Sequence, residues 1–157
     1  MIGAALLMVF VGACTSSGTQ ISLVASESSE DSEALGYAFA GEEVTEGAPT
    51  ITVKAGEEVT ITLENLHGQY FDVPAAAHDL ALLPATSENR ESPPGAPDVA
   101  DEVLWDVWFG GSGTGLFVDE TQTITFVPDA PGTYVYVCAV AGHAARGMVG
   151  EFVVESG

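Results

Sequence analysis

Basic residues are nearly absent from this sequence of 157 residues: three Lys and Arg stand against 23 Asp and Glu, which gives a formal net charge of −20 at pH 7. Nucleic-acid binding depends on Lys and Arg that neutralise phosphates, so this composition excludes nucleic acid as the partner. The acidity fits two other interpretations, a solvated surface adapted to high salt or an acidic face that attracts a basic protein partner. Both stay open.

Histidine, cysteine and methionine are also scarce, with three His, two Cys and three Met in the chain. The apolar residues are not scarce: they make up 46% of the sequence, together with 18 Gly and 8 Pro. A chain of this length can bury a core, and this composition is typical of one turn-rich β domain.

The longest apolar run, Met1 to Val11, lies shortly before Cys14. Such a run suits the apolar part of a signal peptide and is short for a transmembrane helix. The segment Val11-Gly-Ala-Cys14 resembles a lipobox, in which the cysteine carries lipid. We therefore predict a lipoprotein-type signal peptide over 1–13 and an extracytoplasmic protein anchored to the membrane by lipidated Cys14. A peptide membrane anchor is one alternative, and a Cys14–Cys138 disulfide is another.

Residues 14–34 are predicted to be a flexible tether, because residues 15–34 contain seven Ser and four acidic residues. The apolar patch from Ile21 to Ala25 is the exception and is compatible with an initial edge strand. We expect the folded domain to occupy 35–157.

Alternation of apolar and polar residues predicts short strands along this domain. Val59, Ile61 and Leu63 alternate with polar residues, so that one face of their strand is buried and the other is wet. Similar patterns, separated by turn residues, lie at 35–40, 50–53, 76–83, 121–127, 133–138 and 150–154. Six to eight short strands indicate an all-β protein, an antiparallel sandwich or barrel.

The stretch between the patterns at 76–83 and 121–127 is less regular. Residues 85–97 contain three prolines and are predicted to be a surface loop. Valines then recur at helical spacing from Val99, which predicts one short helix over 98–108 with Asp98 as its N-cap. A strand over 103–109 is the alternative.

Sulfur and nitrogen donors are concentrated near the C-terminal end. Cys138, His143 and Met148 are separated by four residues each and directly follow a strand pattern. Alone, each would be an ordinary core or surface residue; together, a thiolate, an imidazole and a thioether are ligands that suit copper. A trigonal electron-transfer copper site needs a second histidine. His78, at the start of an alternating run, is the candidate, and His67 in a nearby loop is the alternative.

The run from Pro131 to Gly150, with its Gly-x-Tyr-x-Tyr-x-Cys lead-in and its Gly-His pair, resembles the copper loop of the cupredoxins, of the rusticyanin, sulfocyanin and auracyanin type. Residues 51–63 resemble the early hairpin of that family. The resemblance implies a Greek-key β-sandwich with one type 1 copper that passes one electron at a time. It implies four ligands: the thiolate of Cys138, the imidazoles of His78 and His143, and a long axial bond from Met148.

Asp79 departs from the family pattern, because many cupredoxins have Asn directly after the first ligand histidine. An ionised carboxylate cannot donate a hydrogen bond. We therefore predict either a looser tie between the ligand loops or a replacement donor nearby, such as a backbone amide or a Thr. A carboxylate near the metal is also predicted to favour Cu(II) and to lower the reduction potential.

The sequence thus predicts a membrane-tethered, monomeric electron carrier that is not an enzyme. Its expected partners are redox proteins, such as a cytochrome, an oxidase or a reductase, with a basic docking face. Three histidines in all are too few for a multicopper catalytic centre. The alternatives are a copper carrier or storage protein and a metal-free cupredoxin-like binding module. Trp105, Trp108 and Phe109 are interpreted either as a docking surface or as core aromatics.

Overall fold

The computed structural model describes residues 18–91, 99–111 and 114–157, and in this part of the chain two β-sheets form a sandwich. The strands are β1 (Thr19–Glu27), β2 (Leu35–Phe39), β3 (Ile51–Lys54), β4 (Val59–Asn65), β5 (Leu80–Pro84), β6 (Trp108–Phe109), β7 (Thr121–Phe126), β8 (Gly132–Val137) and β9 (Val149–Glu155). A short helix, α1, spans Ser87–Glu91, and 3₁₀ turns lie at Val99–Asp101 and Ala144–Arg146.

The first sheet has the order β2-β1-β4-β7 and the second β3-β9-β8-β5-β6. The expectation of purely antiparallel pairing is wrong at two places, because β1 pairs with β4 and β3 with β9 in parallel. Parallel neighbours cannot be joined by a tight hairpin. The chain meets this constraint by moving from one sheet to the other between β2 and β3 and again between β3 and β4.

The period-2 pattern of β4 defines the two faces of its sheet as expected. Val59, Ile61 and Leu63 are buried in a core cluster that also contains residues of the opposite sheet, such as Leu82 and Phe152. On the other face, two pairs of threonine hydroxyls link β4 to β7, each with 2.9 Å between the oxygens. The prediction of an all-β sandwich is confirmed.

The predicted tether is wrong for residues 19–34. Strand β1 is an inner strand between β2 and β4, not an edge strand, and its parallel register with β4 runs from Thr19 opposite Val59 to Ala25 opposite Asn65. Ile21, Leu23 and Ala25, at every second position of β1, enter the core, and Ser22 lies between the first two of them. The predicted signal peptide over 1–13 and the predicted lipid site Cys14 lie outside the described residues. Within the described ranges, no helix has the length and apolar character needed to cross a membrane.

The predicted loop and helix between β5 and β6 also need correction. Helix α1 lies inside the predicted loop, and the predicted helix over 98–108 is reduced to the 3₁₀ turn Val99–Asp101, while Asp98 lies outside the described residues. Trp105 and Asp106 have φ values of 52° and 57°, which a right-handed helix does not permit.

Backbone pairing with β5 explains why this segment is not helical. The N–H of Leu104 donates to the carbonyl of Leu82, and the N–H of Leu82 donates to the carbonyl of Val107, at 2.9 and 3.0 Å. The chain then continues as β6, antiparallel to β5. The strand alternative is therefore confirmed for residues 108 and 109, and the regular valine spacing reflects contacts of a folded-back loop with the sheet.

Candidate metal centre

Adjacent ends of two neighbouring strands bring His78 and Cys138 together. Strands β5 and β8 are antiparallel, with Ala81 opposite Val137, so the residues just before β5 and just after β8 lie at the same end of the sandwich. His78 is held there by a two-residue bridge to Leu116, with backbone hydrogen bonds of 3.1 and 2.7 Å. Both side chains are fully buried.

The loop between β8 and β9 returns His143 and Met148 to Cys138. The backbone N–H of Cys138 donates to the carbonyl of Met148 at 3.1 Å, and the N–H of Met148 donates to the carbonyl of His143 at 3.3 Å. Gly147 turns the chain with a φ of 114°, and a Cβ there would lie 2.5 Å from the carbonyl oxygen of Leu35. A glycine is needed at this position, because the conformation and the space both exclude a side chain.

Three donor atoms converge at this end of the sandwich. His78, Cys138 and His143 each offer one ligand atom, and these atoms all lie within 4.8 Å of one another. The Nδ1 atoms of the two imidazoles are 3.2 Å apart, and Cys138 Sγ is 3.4 Å from His143 Nδ1. The structure thus brings three of the predicted site residues together and places the fourth, Met148, fully buried in the same loop.

Burial sets the protonation states of these groups. It lowers the pKa of His78 to about 3, with His143 and His67 adding to the effect, and it lowers the pKa of His143 to about 4, with Arg146 and His67 adding to it. Both imidazoles are therefore neutral at pH 7, which is the form that binds metal ions. Burial and Asp79 raise the pKa of the Cys138 thiol. A coordinated metal ion deprotonates such a thiol, so the donor set fits a metal.

Asp79 ties the two ligand segments together by accepting hydrogen bonds instead of donating them. Its buried carboxylate accepts the backbone N–H of Ala139 at 2.6 Å and the indole N–H of Trp108 at 3.1 Å. Its own backbone N–H points at Cys138 Sγ, 3.4 Å away. Burial raises the pKa of this carboxyl, although the two accepted hydrogen bonds oppose the shift. The predicted replacement donor is therefore present, as the backbone amide of Ala139.

His67 lies against the far side of the His78 ring. Its Nδ1 is 3.0 Å from His78 Nε2, whereas the converging atom of His78 is Nδ1, so the structure does not support His67 as a ligand in place of His78.

The prediction of an aromatic docking surface is wrong for two of its three residues: Phe109 is fully buried, and Trp105 packs on core aromatics such as Phe152. Trp108 is partly buried and bonded to Asp79.

Solved structures of copper proteins share this architecture. The reduced auracyanin of Roseiflexus castenholzii aligns over 88% of this chain and 98% of its own, with a TM-score of 0.57 and 22% identity. A reduced rusticyanin aligns over 88% and 81%, with a TM-score of 0.52 and 24% identity. The copper nitrite reductase of Nitrosomonas europaea aligns over 88% and 42%, with a TM-score of 0.52 and 21% identity. The fold is therefore cupredoxin-like, as predicted.

Sequence comparison then gives the family. A family model described as Multicopper oxidase matches residues 17–157, and the chain belongs to this family. A rusticyanin of Acidithiobacillus ferrooxidans is 33% identical over 110 residues, which are 68% of this chain and 61% of that protein. Auracyanin-B of Chloroflexus aurantiacus is 34% identical over 58 residues, 37% of this chain and 22% of that protein. The chain spans 61% or less of the length of these curated relatives.

Proposed function

We propose that this protein carries single electrons through one type 1 copper ion held by His78, Cys138, His143 and Met148. The observation that carries the proposal is the convergence of two imidazole nitrogens and one thiol sulfur within 4.8 Å in the buried end of a cupredoxin-like sandwich. Two His, one Cys and a weak axial Met form the donor set of electron-transfer copper sites. When bound, copper supplies the reversible change between Cu(I) and Cu(II).

The protein residues contribute a donor set that is held in place by the surrounding fold. Cys138 is fixed by its backbone bond to Met148 and by the N–H of Asp79, and the Asp79 carboxylate holds the next residue of the loop. Donors fixed in this way move little when the charge of the ion changes, which favours fast electron transfer. A copper carrier needs ligands that can open and release the ion, so this closed arrangement favours electron transport over carriage.

The histidine count supports an electron carrier over an oxidase, although the matching family model is described as Multicopper oxidase. Two of the three histidines converge at the site, and the third is committed to a contact with one of them. A multicopper catalytic centre requires further imidazoles, and this sequence has none to offer. We infer that any oxidase or reductase chemistry belongs to a partner protein and that this chain is not itself an enzyme.

His143 is the natural exit for the electron. Its side chain is 8% exposed, whereas His78, Cys138 and Met148 are fully buried. The partner that reaches this edge is proposed to be a redox protein with a basic face, because the chain carries a net charge of −20. We further propose that the protein acts as a monomer outside the cytoplasmic membrane and that a lipid on Cys14 holds it there.

Redox cycling in the presence of a Cu(I) chelator tests electron transfer against copper carriage. The copper-loaded protein is reduced and reoxidised repeatedly while a coloured chelator competes for Cu(I). An electron carrier should show a one-electron Nernst curve and keep its copper through every cycle. Transfer of the copper to the chelator on the first reduction would contradict the proposal and favour a carrier. His143→Ala, which opens the site, serves as the variant expected to lose copper in this assay.

A further inference from the structure

A second layer of polar side chains lies behind His78. His67 is 7% exposed, and its ring is tilted against the ring of His78 with 5.0 Å between the centroids. The contact is made by nitrogens, since His67 Nδ1 lies 3.0 Å from His78 Nε2. The opposite nitrogen of His78, Nδ1, is the atom that faces His143 and the site. His67 therefore touches the ring nitrogen of His78 that is not available to a metal.

Glu27 lies beside His67, near the same ring nitrogen that faces His78. Its carboxylate is buried, and one oxygen is 3.6 Å from His67 Nδ1. This carboxylate organises the loop that carries His67, because it accepts four hydrogen bonds, from the hydroxyl of Ser26 (2.7 Å) and from the backbone N–H groups of Gly68 (2.7 Å), Tyr70 (2.9 Å) and Phe71 (3.2 Å). The side chain of Asn65 adds a further anchor by accepting the backbone N–H of His67 at 2.9 Å.

The direction of the hydrogen bond between the two rings follows from the site. A neutral imidazole that binds a metal through Nδ1 carries its proton on Nε2. The Nε2–H of His78 is buried and needs an acceptor, and His67 Nδ1 is placed at hydrogen-bond distance to be that acceptor. His67 then carries its own proton on the other nitrogen.

We propose that His67 is a positioning residue for His78: it accepts the Nε2–H of His78, fixes the tautomer that leaves Nδ1 free for copper, and is itself held by the loop folded around Glu27. This inference rests on the proposed copper site. Partners of this kind, bonded to the second nitrogen of a ligand histidine, orient the ring and raise its basicity, and their loss typically weakens metal binding about 10–100-fold.

Two substitutions of His67 separate hydrogen bonding from packing. His67→Phe keeps a ring of similar shape and removes the acceptor, whereas His67→Gln keeps an acceptor oxygen. The matched control is Tyr70→Phe, in the same loop as His67. It removes a hydroxyl that accepts the N–H of Val44, not a contact with His78. We expect His67→Phe to raise the Cu(II) dissociation constant about 10–100-fold and to shift the thiolate-to-copper absorption band. His67→Gln should recover most of the affinity, and Tyr70→Phe should bind as the unaltered protein does.

A measurement on the unaltered protein tests the same inference without requiring that a variant folds. In the diamagnetic Cu(I) form, NMR should show that the Nε2–H of His78 exchanges slowly with water and that His67 Nδ1 is unprotonated. Exchange as fast as that of a free imidazole N–H, or unchanged copper affinity and absorption in His67→Phe, would overturn the inference and leave the copper site intact. Failure of the unaltered protein to bind Cu(II) at one equivalent would instead overturn the proposed function itself.

Discussion

Replacement of Glu27 by glutamine should change how the stability of this protein depends on pH. The Glu27 carboxylate is buried on β1, and burial opposes its ionisation. The hydrogen bonds from Ser26, Gly68 and Tyr70 outweigh that effect and lower its pKa from 4.5 to about 2. The anion is therefore the form that the folded protein stabilises.

The size of the effect follows from this pKa difference. A shift from 4.5 to about 2 corresponds to about 3.4 kcal/mol, at about 1.4 kcal/mol for each pKa unit. Since the folded pKa lies below the unfolded pKa, this contribution is complete above pH 4.5 and is lost as the pH falls from 4.5 towards 2. Glutamine cannot ionise, and its NH2 group also faces N–H donors in the loop.

Urea unfolding of the metal-free protein and of Glu27→Gln, from pH 7 to about pH 2, measures this contribution. The difference in unfolding free energy between the two should be about 3 kcal/mol at pH 7 and should shrink as the pH falls through the window given above. Taking the difference cancels the titration of the other carboxylates. Glu155→Gln, which changes an exposed glutamate on β9, is the matched control and should show no such trend. A difference for Glu27→Gln that does not vary with pH would refute the reasoning.

Two further predictions concern Asp79 and β1. Asp79→Asn removes a negative charge beside the site, so the reduction potential should rise in a spectroelectrochemical titration. It also turns an NH2 group towards the N–H of Ala139 or Trp108, which should lower the free energy of unfolding in urea by about 1–3 kcal/mol. An unchanged potential would contradict the first part. A chain that begins at residue 35 lacks β1 and should show no cooperative thermal unfolding by circular dichroism, because an inner strand is missing. Native-like cooperative unfolding would contradict the central place of β1.

The ligand loop could be predicted from the sequence because its geometry is local. Cys138, His143 and Met148 belong to one short connection, and the strand before it alternates clearly. His78 was within reach because a trigonal copper site requires a second imidazole. The role of His67 could not be predicted from the sequence, because it depends on a loop that closes around Glu27. Glu27 lies 40 residues earlier in the chain. No pattern around His67 signals that contact.

Two parts of the fold were misinterpreted for physical reasons. The serine-rich composition of residues 15–34 predicts a tether, but part of this segment forms strand β1. In that strand the apolar residues Ile21, Leu23 and Ala25 lie at every second position. After Val99, the valine spacing suits a helix equally well as a folded-back loop. Long-range backbone bonds to β5 and the left-handed conformations at Trp105 and Asp106 decide between them, and neither is visible in a local pattern.

The most direct test of the copper site is a titration of the protein with Cu(II), followed by visible absorption. The proposal predicts an intense thiolate-to-copper band that saturates at one equivalent and is absent in Cys138→Ser, a variant that keeps the size of the side chain and replaces the sulfur. His78→Gln should weaken or abolish the same band. Binding without a thiolate band, or a band that survives in Cys138→Ser, would contradict the central claim that Cys138, His78 and His143 converge on one copper ion.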